Sequence, residues 1–122
     1  MIDFVELENK LLEKNREYEE LVDEYKDKLL EAVQKRNEAK KQYAIVYLEI
    51  KAGGTEDAKK KITEEKAKQK AFLETYELQA EAEIAKALVD ALYERIEQLK
   101  YEIDSLRSIL SAYKETYERT VG

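Results

Sequence analysis

The chain contains no cysteine, proline, histidine or tryptophan, and only three of its 122 residues are glycine. Each absence removes a class of protein. Without cysteine there is neither a disulfide scaffold nor a thiolate metal site, and the composition suits a reducing compartment. Without histidine the Glu-x-x-His pairs of helical di-metal proteins cannot be built. Ser105, Ser108 and Ser111 likewise lack an imidazole base to make a nucleophile. Without proline nothing forces a helix to break, one internal proline costing roughly 3 kcal/mol. No apolar run approaches the ~20 residues of a membrane span, and Met1-Ile2-Asp3-Phe4 does not read as the opening of a signal peptide. The expectation is a cytoplasmic protein that is not an enzyme, with no catalytic residue, metal or cofactor assigned. Carboxylate-only sites stay open because the chain has 28 Asp and Glu, although an exposed carboxylate on a charged helix is ordinarily solvated surface.

What the chain does have is charge, at 41 % of residues, and a periodic apolar pattern. High charge suits either disorder or a long helix, and periodicity distinguishes them. Apolar residues recur at helical spacing through Phe4, Leu7, Leu11, Tyr18, Val22, Tyr25, Leu29 and Val33, with Asp3 placed to cap the first turn. The stripe thins from Lys35 to Lys41, where Ala39 is the sole apolar residue. It thickens again from Tyr43 to Ile50, which predicts burial on more than one side. A β-strand is the rival reading of those eight residues, but their flanks are helical and no second strand exists to pair with.

Gly53-Gly54-Thr55 is the one strong breaker. Glycine supplies a helix end and Thr55 a cap, with Glu56 and Asp57 favourable near the next positive end. The same Ala52-Gly53-Gly54-Thr55 segment lacks the Gly-Lys-Ser/Thr ending and preceding strand of a phosphate loop, so a turn is the simpler reading. The organisation predicted is a helix over 3–52, a turn at Gly53-Gly54, a short helix over 56–62 and a long helix over 64–119, all in one domain. Thr63-Glu64-Glu65 offers a further start signal and a place for a kink.

In the last helix, apolar positions alternate in steps of four and three through Leu78, Ala82, Ala85, Val89, Leu92, Ile96, Leu99, Ile103, Leu106, Leu110, Tyr113 and Tyr117. More than five heptads without a polar seam residue predict a left-handed coiled coil. The fold class expected is therefore all-α, a long antiparallel helical hairpin with arms of about 75 Å at 1.5 Å per residue and a coiled-coil C-terminal helix. Ile84, Leu88, Ala91 and Ile109 form a second apolar edge that one partner helix cannot cover. A homo-oligomer is expected, with Leu78, Val89, Leu92, Ile96, Leu99, Ile103, Leu106 and Leu110 at its interface.

The formal net charge of −6 conceals an asymmetry. Residues 1–34 hold 5 Lys/Arg against 11 Asp/Glu, residues 35–70 hold 11 against 6, and residues 71–122 hold 6 against 11. The basic middle consists of Lys35, Arg36, Lys40, Lys41, Lys51, Lys59, Lys60, Lys61, Lys66, Lys68 and Lys70. In a hairpin these gather at the turn end while the shafts stay acidic, the footprint of a protein that grips an anion at one place. Tyr43 and Tyr47 lie among them, and tyrosine beside lysine is the pairing that single-stranded nucleic acid binders use. Two readings stay open. The lysines belong either to an anion site or to a solvated face laced by pairs such as Glu64 to Lys68 and Glu38 to Lys41, in which case the tyrosines pack beside Val46 and Ile50.

A resemblance to a known family enters through layout. The helix Lys41-Gln42-Tyr43-Ala44-Ile45-Val46-Tyr47-Leu48-Glu49-Ile50-Lys51 ends in a glycine-containing break. A short basic stretch follows, Asp57-Ala58-Lys59-Lys60-Lys61, then the Ala-rich Leu78-Gln79-Ala80-Glu81-Ala82-Glu83 and a closing Ile103-Asp104-Ser105-Leu106-Arg107-Ser108-Ile109-Leu110-Ser111. From about Lys35 to Tyr117 this resembles the small recombination mediators of T-even phages, the UvsY type. The resemblance implies a ring-forming helical protein that binds single-stranded DNA through the basic segment. It also implies partnership with a recombinase and a single-strand-binding protein in the cytoplasm of a bacterial host. The acidic N-terminal 34 residues fall outside it. The competing expectation is a protein-interaction module, such as a scaffold, an adaptor or a phage inhibitor of a host defence complex, whose acidic shafts mimic nucleic acid.

Overall fold

A computed structural model describes residues 3–53 and 63–121. Among these residues the chain is all-helical, with α1 over Phe4–Gly53, α2 over Glu64–Glu74 and α3 over Tyr76–Val121. No helix among them is long and apolar enough to cross a membrane.

The helix starts follow from capping. The Asp3 carboxylate accepts from the Val5 amide at 3.1 Å, satisfying one otherwise orphaned first-turn donor, and the Asp3 carbonyl accepts the first intrahelical bond from the Leu7 amide at 3.1 Å. Thr63 does the same for α2. Its backbone is extended and its hydroxyl accepts from the Lys66 amide at 3.4 Å, with Glu64 and Glu65 in the first turn beside the positive helix end. At its other end α1 runs through Gly53, whose backbone is not in the left-handed region. Gly54, Thr55 and the short helix expected over 56–62 lie outside the described residues.

The single helix expected over 64–119 is interrupted at Thr75. There the backbone turns to φ −106°, ψ 13°. The Thr75 hydroxyl, on a residue only 3 % exposed, donates to the Ala71 carbonyl at 2.7 Å. The Thr75 amide donates to the same carbonyl at 3.1 Å. The hydroxyl also accepts from the Gln79 side-chain amide at 2.9 Å. A threonine that bonds back to the preceding turn competes with the backbone ladder and bends it. Apolar periodicity does not register that competition.

The helices contribute to two compact units, one of residues 1–27 with 90–122, the other of residues 28–89. The first is built on large side chains. Leu7, Ile96, Leu99, Ile103 and Leu110 are buried, and Leu99 is fully so. Tyr25 meets Tyr93 with ring centroids 6.1 Å apart. Beside this core lies a ring of four charges. Arg95 pairs with Glu17 at 2.7 Å and with Glu102 at 3.7 Å, while Lys14 pairs with Glu102 at 3.0 Å and with Glu17 at 4.0 Å. Each acid thus faces both bases, and the Lys14 ammonium stands against the buried Oε2 of Glu102.

The second unit is built the other way round. Its buried residues are Ala32, Ala39, Ala67, Ala71, Ala85, Val89 and Thr75. Small side chains let helices approach closely but bury little apolar area each. The large apolar residues stand outside, with Leu73 72 % exposed and Ile84, Leu88, Leu30, Phe72 and Tyr76 also exposed. The stretch from Tyr43 to Ile50 is helical, yet it is not buried on more than one side. Ile45 and Leu48 are exposed, while Tyr43, Val46, Tyr47 and Ile50 are half-buried. The unit supplies neighbours for only one face of that helix.

Candidate functional site

By sequence the two units differ in charge. Residues 1–27 and 90–122 carry 9 Lys/Arg against 17 Asp/Glu, a net of −8, and residues 28–89 carry 13 against 11, a net of +2. The predicted basic residues that the structure describes all fall in the second unit. Lys59, Lys60 and Lys61 lie outside the described residues.

The others sit on α1 and α2. Lys35 is committed to a structural pair, its ammonium 3.4 Å from Glu31. Glu31 lies between Lys28 at 3.5 Å and Lys35, and these two cations, Lys28 foremost, hold its carboxyl below the usual glutamate range. Arg36, Lys40, Lys41, Lys66, Lys68 and Lys70 are exposed and make no ion pair among the described residues. Lys51 is half-buried at the end of α1. The pairs Glu64 to Lys68 and Glu38 to Lys41 do not form. Glu38 instead accepts from the Gln42 amide at 3.1 Å, and Glu64 from the Tyr47 hydroxyl at 3.5 Å. The lysines of this face are therefore less neutralised than helical spacing suggests.

Aromatic rings lie between these cations. Tyr43 and Tyr47, one helical turn apart, hold their rings nearly parallel at 11° with centroids 6.4 Å apart. Phe72 and Tyr76, also one turn apart, meet edge to face at 6.0 Å and 73°. Tyr43 forms a wall shared by two grooves. One, of about 360 Å³, is lined by Arg36, Ala39, Lys40, Gln79, Ala82 and Glu83 together with Tyr43. The other, of about 450 Å³, is lined by Lys68, Gln69, Phe72 and Leu73 together with Tyr43. The small floor residues Ala39 and Ala82 leave the first groove open, and the outward Phe72 and Leu73 form a rim of the second.

Neither Phe72, Leu73 nor Tyr76 is visible as a site residue from charge patterning. The available signal is the i, i+4 spacing of Phe72 to Tyr76, repeated by Tyr43 to Tyr47, within a lysine-rich stretch. In the other unit, a cleft of about 530 Å³ is lined by Phe4, Tyr113, Lys114, Tyr117 and Glu118. It carries one cation against one carboxylate, so it offers no net field to an anion.

The residues predicted at an oligomer interface are largely covered within the chain. Val89, Ile96, Leu99, Ile103 and Leu110 are buried, and Leu78, Leu92 and Leu106 are half-buried. The edge expected beside them is exposed, at 63 % for Ile84, 54 % for Leu88 and 41 % for Ile109. Among the described residues no group of three or more acidic side chains is arranged to hold a metal ion. No family model, curated protein or solved structure matches the chain.

Proposed function

We propose that this chain is a non-enzymatic, oligomeric helical protein that binds single-stranded DNA through its basic segment. Its role would be that of a recombination or replication accessory of the mediator type, phage-encoded and working in the cytoplasm of a bacterial host. The observation that carries the reading is the set of exposed Arg36, Lys40, Lys41, Lys66, Lys68 and Lys70, none in an ion pair among the described residues, interleaved with Tyr43, Tyr47 and Phe72. Cations neutralise phosphates and rings stack on bases, and the two together suit an unpaired strand better than a duplex.

In this reading the arms pair as an antiparallel hairpin. Support comes from contacts within the unit of residues 1–27 and 90–122, since Lys14 meets Glu102 while the later Glu17 meets the earlier Arg95. Copies associate through uncovered apolar side chains such as Ile84 and Leu88 of the second unit, whose exposure in one chain supports an oligomer. A recombinase and a single-strand-binding protein are the partners that the layout resemblance suggests.

The test is light scattering with and without a labelled oligo-dT. The expected result is an oligomer that binds the strand, with affinity falling steeply in salt and lost when Lys59, Lys60 and Lys61 are changed to Glu. Binding that survives that change would reject the assigned segment.

A second reading is favoured by the same exposed apolar side chains, namely a protein-interaction module such as a scaffold, an adaptor or a phage inhibitor of a host defence complex. It expects no DNA binding at low salt and stoichiometric recovery of one host protein in a pull-down. Tight oligo-dT binding with nothing recovered would eliminate it.

A further inference from the structure

We propose that Tyr43 is a wedge between two base-sized grooves, so that neighbouring unpaired bases of one strand lodge on either side of its ring. This deepens the single-strand reading and rests on it. The grooves of about 360 Å³ and 450 Å³ share Tyr43 as a wall and belong to the same unit. Each combines three features that a nucleotide requires. An apolar surface receives the base face, being Ala82 beside Tyr43 in the first groove and Phe72 with Leu73 in the second. A primary amide meets the base edge with both donor and acceptor, being Gln79 in the first and Gln69 in the second. A cation sits at the rim for the phosphate, being Arg36 with Lys40 in the first and Lys68 in the second, and none of these three makes an ion pair among the described residues. Gln79 already donates one N–H to Thr75, which fixes its orientation and leaves its carbonyl for the ligand.

Charge alone would hold phosphates without these grooves. The exposure of Phe72 and Leu73, 45 % and 72 %, is the feature that a purely electrostatic binder leaves unexplained. A flat ring face beside lysine is tolerant of base identity, because every base has a π-face. The site therefore selects unpaired bases over paired ones, and does not select sequence. Glu83, on the rim of the first groove, repels phosphate on that side and orients the strand towards Arg36 and Lys40.

The experiment compares the full-length protein and its variants on labelled oligo-dT, on oligo-U of equal length, and on an abasic DNA strand of equal length and charge, across a salt series. Wild type is expected to prefer both base-bearing strands over the abasic one, by about 5- to 150-fold for each stacked base. Phe72→Leu, which keeps an apolar side chain at an exposed position, should lose much of that preference with its salt slope unchanged. Tyr43→Phe should keep the preference because the ring remains. Lys68→Gln should lower affinity on all three strands alike and reduce the salt slope by about 1. Equal wild-type binding to base-bearing and abasic strands would overturn the wedge while leaving single-strand binding intact. No binding to any strand at low salt would overturn both. A Phe72→Leu variant that changes oligomer size but keeps base preference would assign the groove to a second copy of the chain and overturn the proposal.

Discussion

Replacing Leu99 by alanine probes how the unit of residues 1–27 and 90–122 is held together. Among the described residues Leu99 is the largest side chain fully removed from solvent, and Leu7, Ile96, Ile103 and Leu110 are buried in the same unit. Truncating a buried leucine costs about 2–5 kcal/mol, the spread reflecting how far the surroundings close over the cavity. Two helical segments form a thin layer that relaxes more readily than a thick core, so about 2–3 kcal/mol is expected. With a denaturant slope of about 1–3 kcal/mol per molar urea, the midpoint should fall by about 0.7–3 M. The control is Leu12→Ala in the same unit, since Leu12 is 62 % exposed and surface truncations ordinarily stay within about 0.5 kcal/mol. Unfolding followed by helical circular dichroism at one low protein concentration keeps association out of the comparison. A Leu99→Ala midpoint no lower than that of Leu12→Ala would refute the packing.

Three further outcomes follow from the same geometry. In the ring of Lys14, Glu17, Arg95 and Glu102, a double-mutant cycle of Glu17→Gln and Arg95→Gln should return a coupling of about 0.5–1 kcal/mol. The side chains are 41 % and 37 % exposed, so the coupling should shrink in high salt, and a coupling of zero at low salt would discount the ring. The Glu31 carboxyl, held low chiefly by Lys28 and then Lys35, should titrate below an ordinary glutamate by NMR. Because the folded value is the depressed one, the stabilisation it carries is present above the ordinary glutamate value and lost as pH falls through the lowered one. Lys28→Gln should move the titration back up, and an unmoved midpoint would contradict the cause given. Amide exchange should be faster in α2 and the early part of α3, which surround an alanine core, than around Ile96 to Leu110. Equal protection would argue that alanine packing is the stronger of the two.

Much of the fold is legible in the sequence because helix signals are local. Asp3 and Thr63 cap where their side chains and the following acids say they should. The four-and-three alternation from Ala85 to Leu110 marks residues that are buried or, at Leu92 and Leu106, half-buried. The break at Thr75 is not legible, because an isolated threonine in an apolar helix is silent until its hydroxyl finds the Ala71 carbonyl and Gln79. The alanine core is hidden for a related reason. Large apolar residues dominate any reading of periodicity, yet around Ala67 and Ala71 close approach puts the small side chains inside and sends Phe72 and Leu73 out. The same bias made Tyr43 to Ile50 look enclosed, whereas Ile45 and Leu48 face solvent. At the candidate site the lysines are legible as a charge run. The grooves beside Tyr43 depend on residues from three helices and are not.

The most direct test of the proposed function is the salt dependence of oligo-dT binding, measured for wild type and for the protein with Lys59, Lys60 and Lys61 changed to Glu. For single strands, log K should fall against log salt with a slope of about −0.7 per neutralised phosphate. The expected result is a steep wild-type slope that the triple change flattens while affinity collapses at low salt. Absence of wild-type binding at low salt, or the same slope and affinity in both proteins, would contradict single-strand binding through the basic segment.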